Sequence, residues 1–179
     1  YKKLISYYRG IANRMNGRDY SKSMDSLTEK RNARIDDYLH KASRKIINFC
    51  IENDIHIIVV GKNDGWKQSS KLSKRVNQHF VQIPFEKLIR MIQYKAEERG
   101  IAVISTEESY TSGTSFIDNE APTRENYDKT RRVHRGLFKS NSGTLINADL
   151  NGAYQIIKKV FPIEWDRGCA LHPIVVNIA

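Results

Sequence analysis

Two short apolar runs, IHIIVV (Ile55 to Val60) and IAVIST (Ile101 to Thr106), limit the folds open to this chain. Each is too short for a buried helix and too continuous for a strand with one wet face. Each therefore reads as a strand covered on both faces. Between them, PFEKLIRMIQYKAEERG (Pro84 to Gly100) sets Phe85, Leu88, Ile89, Ile92 and Ala96 at helical spacing. Pro84 suits the first turn and Gly100 the C-terminal cap. Strand, helix, strand in so short a space predicts a parallel, right-handed βαβ unit and an α/β fold.

The flanks read as helices. Residues 1–18 are basic, with Leu4, Tyr7, Tyr8, Ile11 and Met15 at helical spacing, before a polar break at Gly17, Asp19 and Ser21. A longer helix spans roughly 25–53, with Ile35, Leu39, Ala42, Ile46 and Cys50 as its inward stripe. Lys30, Arg31, Arg34, Lys41, Arg44 and Lys45 lie mostly off that stripe, as a solvated face or a phosphate-facing one. Residues 113–143 are polar and without periodicity, which predicts a loop or small insertion. A last helix runs from Ala148 to Val160, with Asn147 as N-cap and Ala153, Ile157 and Val160 facing inward. The apolar tail, Pro162 to Ala179, is expected to pack on the body. The expected division is a helical part (1–54), a βαβ core (55–112), an insertion (113–143), and the final helix with its tail (144–179).

A chain of 179 residues suits one domain with a single core. It opens on Tyr1 rather than Met, which suggests a fragment or a processed chain. No apolar run is long enough to span a bilayer and no signal peptide is present, so a soluble, cytoplasmic protein is expected. Two distant cysteines, Cys50 and Cys169, make neither a disulfide framework nor a zinc spacing, and Cys50 falls on the apolar stripe. Lys and Arg total 30 against 20 acids, a formal charge of +10. That excess favours polyanionic partners, because basic groups displace counterions from phosphates. The loop from Gly61 to Lys74 concentrates Lys62, Lys67, Lys71 and Lys74 around Trp66. Its indole either stacks on a base or packs back on the domain.

In open α/β sheets, sites gather at the carboxyl ends of strands. Glu107 and Glu108 stand there, just beyond the Ile101 strand, and alternation sends them to opposite faces. Asp149 opens the last helix, where the helix dipole favours an ionised carboxylate. On spacing alone these acids are equally well read as solvated charges. The chemistry that would join them is definite. Phosphodiester hydrolysis needs an activated water and charge neutralisation on the leaving oxygen, which two magnesium ions supply, and magnesium prefers oxygen ligands.

Longer segments carry a resemblance. TEESYTS (Thr106 to Ser112) is similar to the segment with the second RuvC motif in TnpB-like and Fanzor-like proteins, and NADLNGAY (Asn147 to Tyr154) resembles their third motif. Arg31 to Gln68 and Asn77 to Ile101 look like the helix–strand–loop and helix that precede them. The likeness covers nearly the whole chain, in order, and points to the OrfB family of insertion-sequence proteins, relatives of type V CRISPR nucleases. It implies an RNase H-like (RuvC) fold lacking its first strands. It implies a magnesium- or manganese-dependent DNA endonuclease guided by RNA. The ligands it implies are Glu108, with Glu107 as fallback, and Asp149; Asn151 is implied to be structural. Lys62, Trp66, Lys67, Lys71, Lys74 and Arg44 would contact nucleic acid, both DNA and guide RNA.

Two departures stand out. The family's leading Asp, in a GIDLG-like motif, is absent from residues 1–179. The four-cysteine zinc ribbon of many relatives is absent too: Ser115 and Asp118 hold the first pair's positions, and the second pair falls at Ser140 to Gly143. No structural zinc is expected. The rival readings are a non-catalytic nucleic-acid-binding module and a structural fragment with a basic surface. Unpaired edge strands would invite self-association.

Overall fold

The computed structural model describes residues 2–16, 21–62, 84–164 and 169–178. Helix α1 (Lys2–Asn16) leads to α2 (Lys22–Glu52), which starts where the Ser21 side chain accepts a hydrogen bond from the Met24 amide at 3.4 Å. Strand β1 (Ile57–Gly61), helix α3 (Phe85–Glu97) and strand β2 (Ala102–Thr106) follow. The two strands pair in parallel, from Ile57 opposite Ala102 to Gly61 opposite Thr106. This is the βαβ unit expected from the apolar runs. Gly100, at φ +68°, ends the α3 turn where its position predicts.

Helices α2 and α3 cover one face of the strand pair. Ile47, Cys50, Ile92, Ala96 and Ile101 are buried there, with Ile55, Ile58, Leu88 and Val103 against them. Cys50 is a core residue as expected, and burial pushes its thiol pKa up. The inward stripe of α2 is rotated from the expected one. Ile47 is fully buried and Ile46 is 37% exposed, because Ser43 and Ile47 face α3. On α1, Leu4 and Tyr7 are likewise exposed while Ala12 is buried. The strands are half-buried rather than covered on both faces, and Ile57 is exposed.

One charged group enters this core. Lys95 is buried, and its Nζ donates to the His40 carbonyl at 2.8 Å and to Ser43 Oγ at 2.6 Å. Burial first, then the Arg44 charge, lowers its pKa from the ordinary lysine value.

Residues 113–143 are irregular through Asp128 and then take regular structure. After a 3-10 turn (Lys129–Arg131) they form β3 (Arg132–His134) and β4 (Leu137–Lys139), which with β5 (Leu145–Asn147) make an antiparallel sheet in the order β3-β4-β5. Phe138, Ile146 and Ala148 centre a second core, against Ile117, Tyr154 and Leu171. Phe116, fully buried, stacks on Tyr154 at 4.7 Å between ring centroids. Strands of three residues leave almost no alternation to detect, which is why their pattern escapes a sequence reading.

Helix α4 (Ala148–Val160) joins the two cores. Asn147 is its N-cap as expected, accepting from the amides of Asp149 and Leu150, each at 3.0 Å. Its inward face is not the expected apolar one. Ala148, Asn151 and Gln155 are buried and Ala153 is exposed, because Asn151 and Gln155 bond to loop backbone while Ala148 packs on Phe138 and Ile146. The tail packs on the body as expected at Leu171, which lies against the second core, and departs from expectation beyond it. Its backbone is tied down by Lys45 Nζ donating to the Asn177 carbonyl at 2.7 Å, yet Ile174 and Val175 are 87% and 93% exposed.

Two outcomes follow from this packing. Phe138→Ala removes the ring at the centre of the second core and should cost about 3–5 kcal/mol in denaturant unfolding. Lys95 supplies a pH test. A lysine whose pKa falls on folding weakens the fold while both states are charged, and that cost is relieved as pH rises from the lowered pKa into the ordinary lysine range. The stability of wild type relative to Lys95→Met should therefore rise between neutral and alkaline pH. A flat difference would refute the assignment.

Candidate functional site

The turn that follows β2 is built by its own sequence. The Thr111 amide and hydroxyl both donate to the Glu108 carbonyl, at 3.2 and 2.8 Å. Tyr110 takes φ +66°, a conformation uncommon for a residue with a side chain, and its ring meets Tyr127 edge-on at 5.7 Å. Gly113 makes room for that ring: a Cβ there would sit 2.5 Å from Tyr127 Cε2. Lys159 Nζ, from the last turn of α4, donates to the Ser109 carbonyl at 2.8 Å. The YTS sequence and its neighbours thus hold the Glu108 backbone in one place.

Side-chain alternation then separates the two glutamates. Ile58 and Val103 face α2 and α3, so Gly61 and Thr106, three residues further along each strand, face away, toward α4. A Cβ on Gly61 would lie 2.5 Å from Glu108 Cγ, 2.8 Å from its Oε1 and 2.7 Å from Ile156 Cδ1. Glu108 therefore lies flat across the bare Gly61 backbone, half-buried, against α4. Glu107 is exposed, and Ser109 Oγ donates to its carboxylate.

Asp149 stands at the opposite end of the same helical face. Ile156 is seven residues on, two turns or about 10 Å along the axis. Gly152 lies between them on that face, with nothing within 4 Å of where a Cβ would be. The Asp149 side chain is 88% exposed, and its Oδ1 is 3.8 Å from Arg132 Nη2. Arg132 reaches it because the β3–β4 turn is docked on the helix, with the Ala148 amide donating to the Gly136 carbonyl at 3.0 Å. His134, Arg135 and Lys139 of the same hairpin are exposed.

The two carboxylates thus share one side of α4 with an open stretch between them. Among the described residues no group of three or more His, Cys, Asp or Glu side chains is gathered to hold a metal. Oxygen donors of this kind suit a hard divalent cation, and two of them leave its coordination incomplete. Arg132 is the site neighbour that sequence reasoning missed. It lies 17 residues before Asp149 and nothing short of the hairpin's docking identifies it.

Of the residues expected to meet nucleic acid, Lys62 is exposed at the end of β1, its amide donating to the Thr106 carbonyl at 2.8 Å. Arg44 lies away from the carboxylates, on α2, with Nη2 4.0 Å from Glu98 Oε2. Trp66, Lys67, Lys71 and Lys74 lie outside the described residues. No described helix is long and apolar enough to cross a membrane.

Residues 85–156 match the family described as Cas12f1-like, TNB domain. A curated relative, the CRISPR-associated endodeoxyribonuclease Cas12f2 of a Micrarchaeota archaeon, is 30% identical over 133 residues. That alignment takes in 70% of this chain and 24% of the relative. The fold is shared with a solved structure, a Cas12f1–sgRNA–target DNA complex determined by cryo-EM. The TM-score is 0.63 at 19% identity, over 87% of this chain and 40% of the other. The chain thus spans about a quarter of the curated relative's length. Family match, homologous sequence and common fold together support a member of the TnpB-like, type V nuclease family.

Proposed function

We propose that residues 1–179 are the C-terminal part of a RuvC-like, RNase H-like nuclease domain, and that Glu108 and Asp149 supply two of its metal-binding carboxylates. The observation that carries this reading is the placement of Glu108. It crosses the Gly61 backbone on the α4 side of the strands, on the same helical side as Asp149, with an open stretch at Gly152 between them. Within that reading, 55–112 is the catalytic βαβ core and 1–54 a helical support. Residues 113–143 stand in for the zinc ribbon, and 144–179 are the last helix and tail. The family's leading Asp, which the resemblance puts on an initial strand, would lie outside these residues.

Magnesium or manganese bound there would activate a water and neutralise the leaving oxygen of a DNA phosphodiester. Glu108 and Asp149 would hold it through carboxylate oxygens. The Glu108 side chain already lies across Gly61 and is half-buried, which reduces the ordering needed on binding. Arg132, beside Asp149, can hold a phosphate oxygen at the same place, where its planar fork gives two parallel bonds. The exposed cations of the β3–β4 hairpin continue that basic surface. The solved relative is a complex with sgRNA and target DNA. By that analogy the partners proposed here are a guide RNA and DNA, with base pairing reading the sequence and protein gripping the backbone.

In the longer nuclease that this reading implies, Glu108→Gln and Asp149→Asn should each reduce magnesium-dependent cleavage of single-stranded DNA. The loss should exceed about 100-fold, the upper end of what losing a merely supporting group costs. Binding should be retained. Glu107→Gln should cut at close to the parental rate, and Gly61→Ala, which drives a methyl into Glu108, should not. Undiminished cutting by Glu108→Gln and Asp149→Asn would sink the assignment. Arg132→Lys should recover part of the cleavage lost in Arg132→Ala, because a point charge replaces half of the fork's function.

A further inference from the structure

By the resemblance drawn from the sequence, many relatives carry a four-cysteine zinc ribbon between the second and third motifs. In this chain the corresponding turns are 115–118 and 140–143. Their donors do not suit zinc, which in structural sites takes Cys sulfur or His nitrogen. Ser115 and Ser140 offer buried hydroxyls, and these already accept hydrogen bonds, from the Asp118 amide at 3.2 Å and the Thr144 amide at 3.0 Å. Asp118 offers a carboxylate, but its oxygens face the second turn's backbone rather than a common centre. Oδ2 accepts from the Asn141 amide at 2.6 Å and Oδ1 from the Ser142 amide at 3.4 Å.

A second carboxylate completes the connection. Glu120 Oε2 accepts from the Ser115 amide at 2.8 Å and from Arg131 Nη1 at 2.6 Å. Its Oε1 accepts from Asn141 Nδ2 at 3.0 Å. Glu120 and Arg131 are 15% and 16% exposed, so this pair is shielded from water and salt. Every link between the turns is a hydrogen bond to an ionised group, the stronger class of such bonds.

We propose that this lobe, residues 113–147, is held by a metal-independent clasp. Asp118 ties the second turn to the first, and Glu120 ties both to Arg131, in the position where relatives use zinc. The clasp replaces coordination bonds with carboxylate–amide bonds and does not select for any metal. Its presence is independent of whether Glu108 and Asp149 cut DNA.

The test is thermal unfolding of the intact chain with zinc content measured on the same sample. Protein purified without added metal should carry substoichiometric zinc, and its Tm should not move when a strong zinc chelator is added. Asp118→Asn and Glu120→Gln keep the shape of each side chain and remove its charge. Each should lower Tm by at least about 3 °C, the effect of losing a charge-assisted bond in a chain of this size. Arg131→Met should do the same. Stoichiometric zinc, or a fall in Tm on chelation, would overturn the proposal. So would a wild-type Tm in both Asp118→Asn and Glu120→Gln. The conservative variants keep the outcome readable if the corresponding alanine variants fail to fold.

Discussion

The buried amide of Asn151 is the interaction on which the rest of this structure depends. Its Nδ2 donates to the Thr114 carbonyl at 2.8 Å and its Oδ1 accepts from the Phe116 amide at 3.0 Å, with no part of the residue exposed. Leaving either half of that pair unmade would strand a buried polar group, so the loop backbone and the helix must meet at this depth. The same side of α4 repeats the grip further along. Gln155 Nε2 donates to the Glu120 carbonyl at 3.2 Å and Lys158 Nζ to the Asn119 carbonyl at 3.0 Å. This side of α4 thus reads a stretch of loop backbone, while Ala148 and Tyr154 pack in the second core. The spacing also sets the opposite side of the helix. Two residues turn a helix through about 200°, so an inward Asn151 holds Asp149 outward, at the end where the dipole favours its charge.

Much of this architecture is legible in the residues. The βαβ unit is, because α3 repeats its apolar positions at 3.6 and the flanking strands are short and unbroken. So is the Asn147 cap, a local interaction between a side chain and amides two and three residues away. What escapes is set by long-range partners. The inward face of α4 carries Asn151 and Gln155, which any apolarity rule sends to solvent. The choice of Ile47 over Ile46 depends on where α3 lies, and Lys95 is buried only because His40 and Ser43 receive its amine. The three-residue strands of the lobe are too short for a period of two to register.

The candidate site divides in the same way. Alternation separates Glu107 from Glu108 in the sequence but does not say which face α4 covers. That follows from Ile156 meeting Gly61, a contact between residues 95 positions apart. Gly61 itself reads as the end of a strand, and its lack of a side chain gains meaning only when Glu108 is seen lying across it. Arg132 has no local signature at all. The basic composition raises the expectation of a polyanion-facing surface without locating it, and the cations that accompany Asp149 are those of the β3–β4 hairpin.

Both carboxylates are therefore held by contacts that cross between the two cores. Glu108 is placed by β1, by the Thr111 turn and by α4. Asp149 and Arg132 are placed by the Asn147 cap and by the hairpin turn seated on Ala148. The Tyr110–Tyr127 contact and the Lys159 bond to Ser109 then fix the turn beyond β2 to the lobe and to the far end of the helix. A disturbance inside the lobe need not touch either carboxylate to change the distance between them, because α4 carries one and braces the other. In relatives with a zinc ribbon that bracing would rest on a metal. Here it rests on Asp118, Glu120 and Arg131, so the geometry across α4 is only as rigid as those carboxylate bonds.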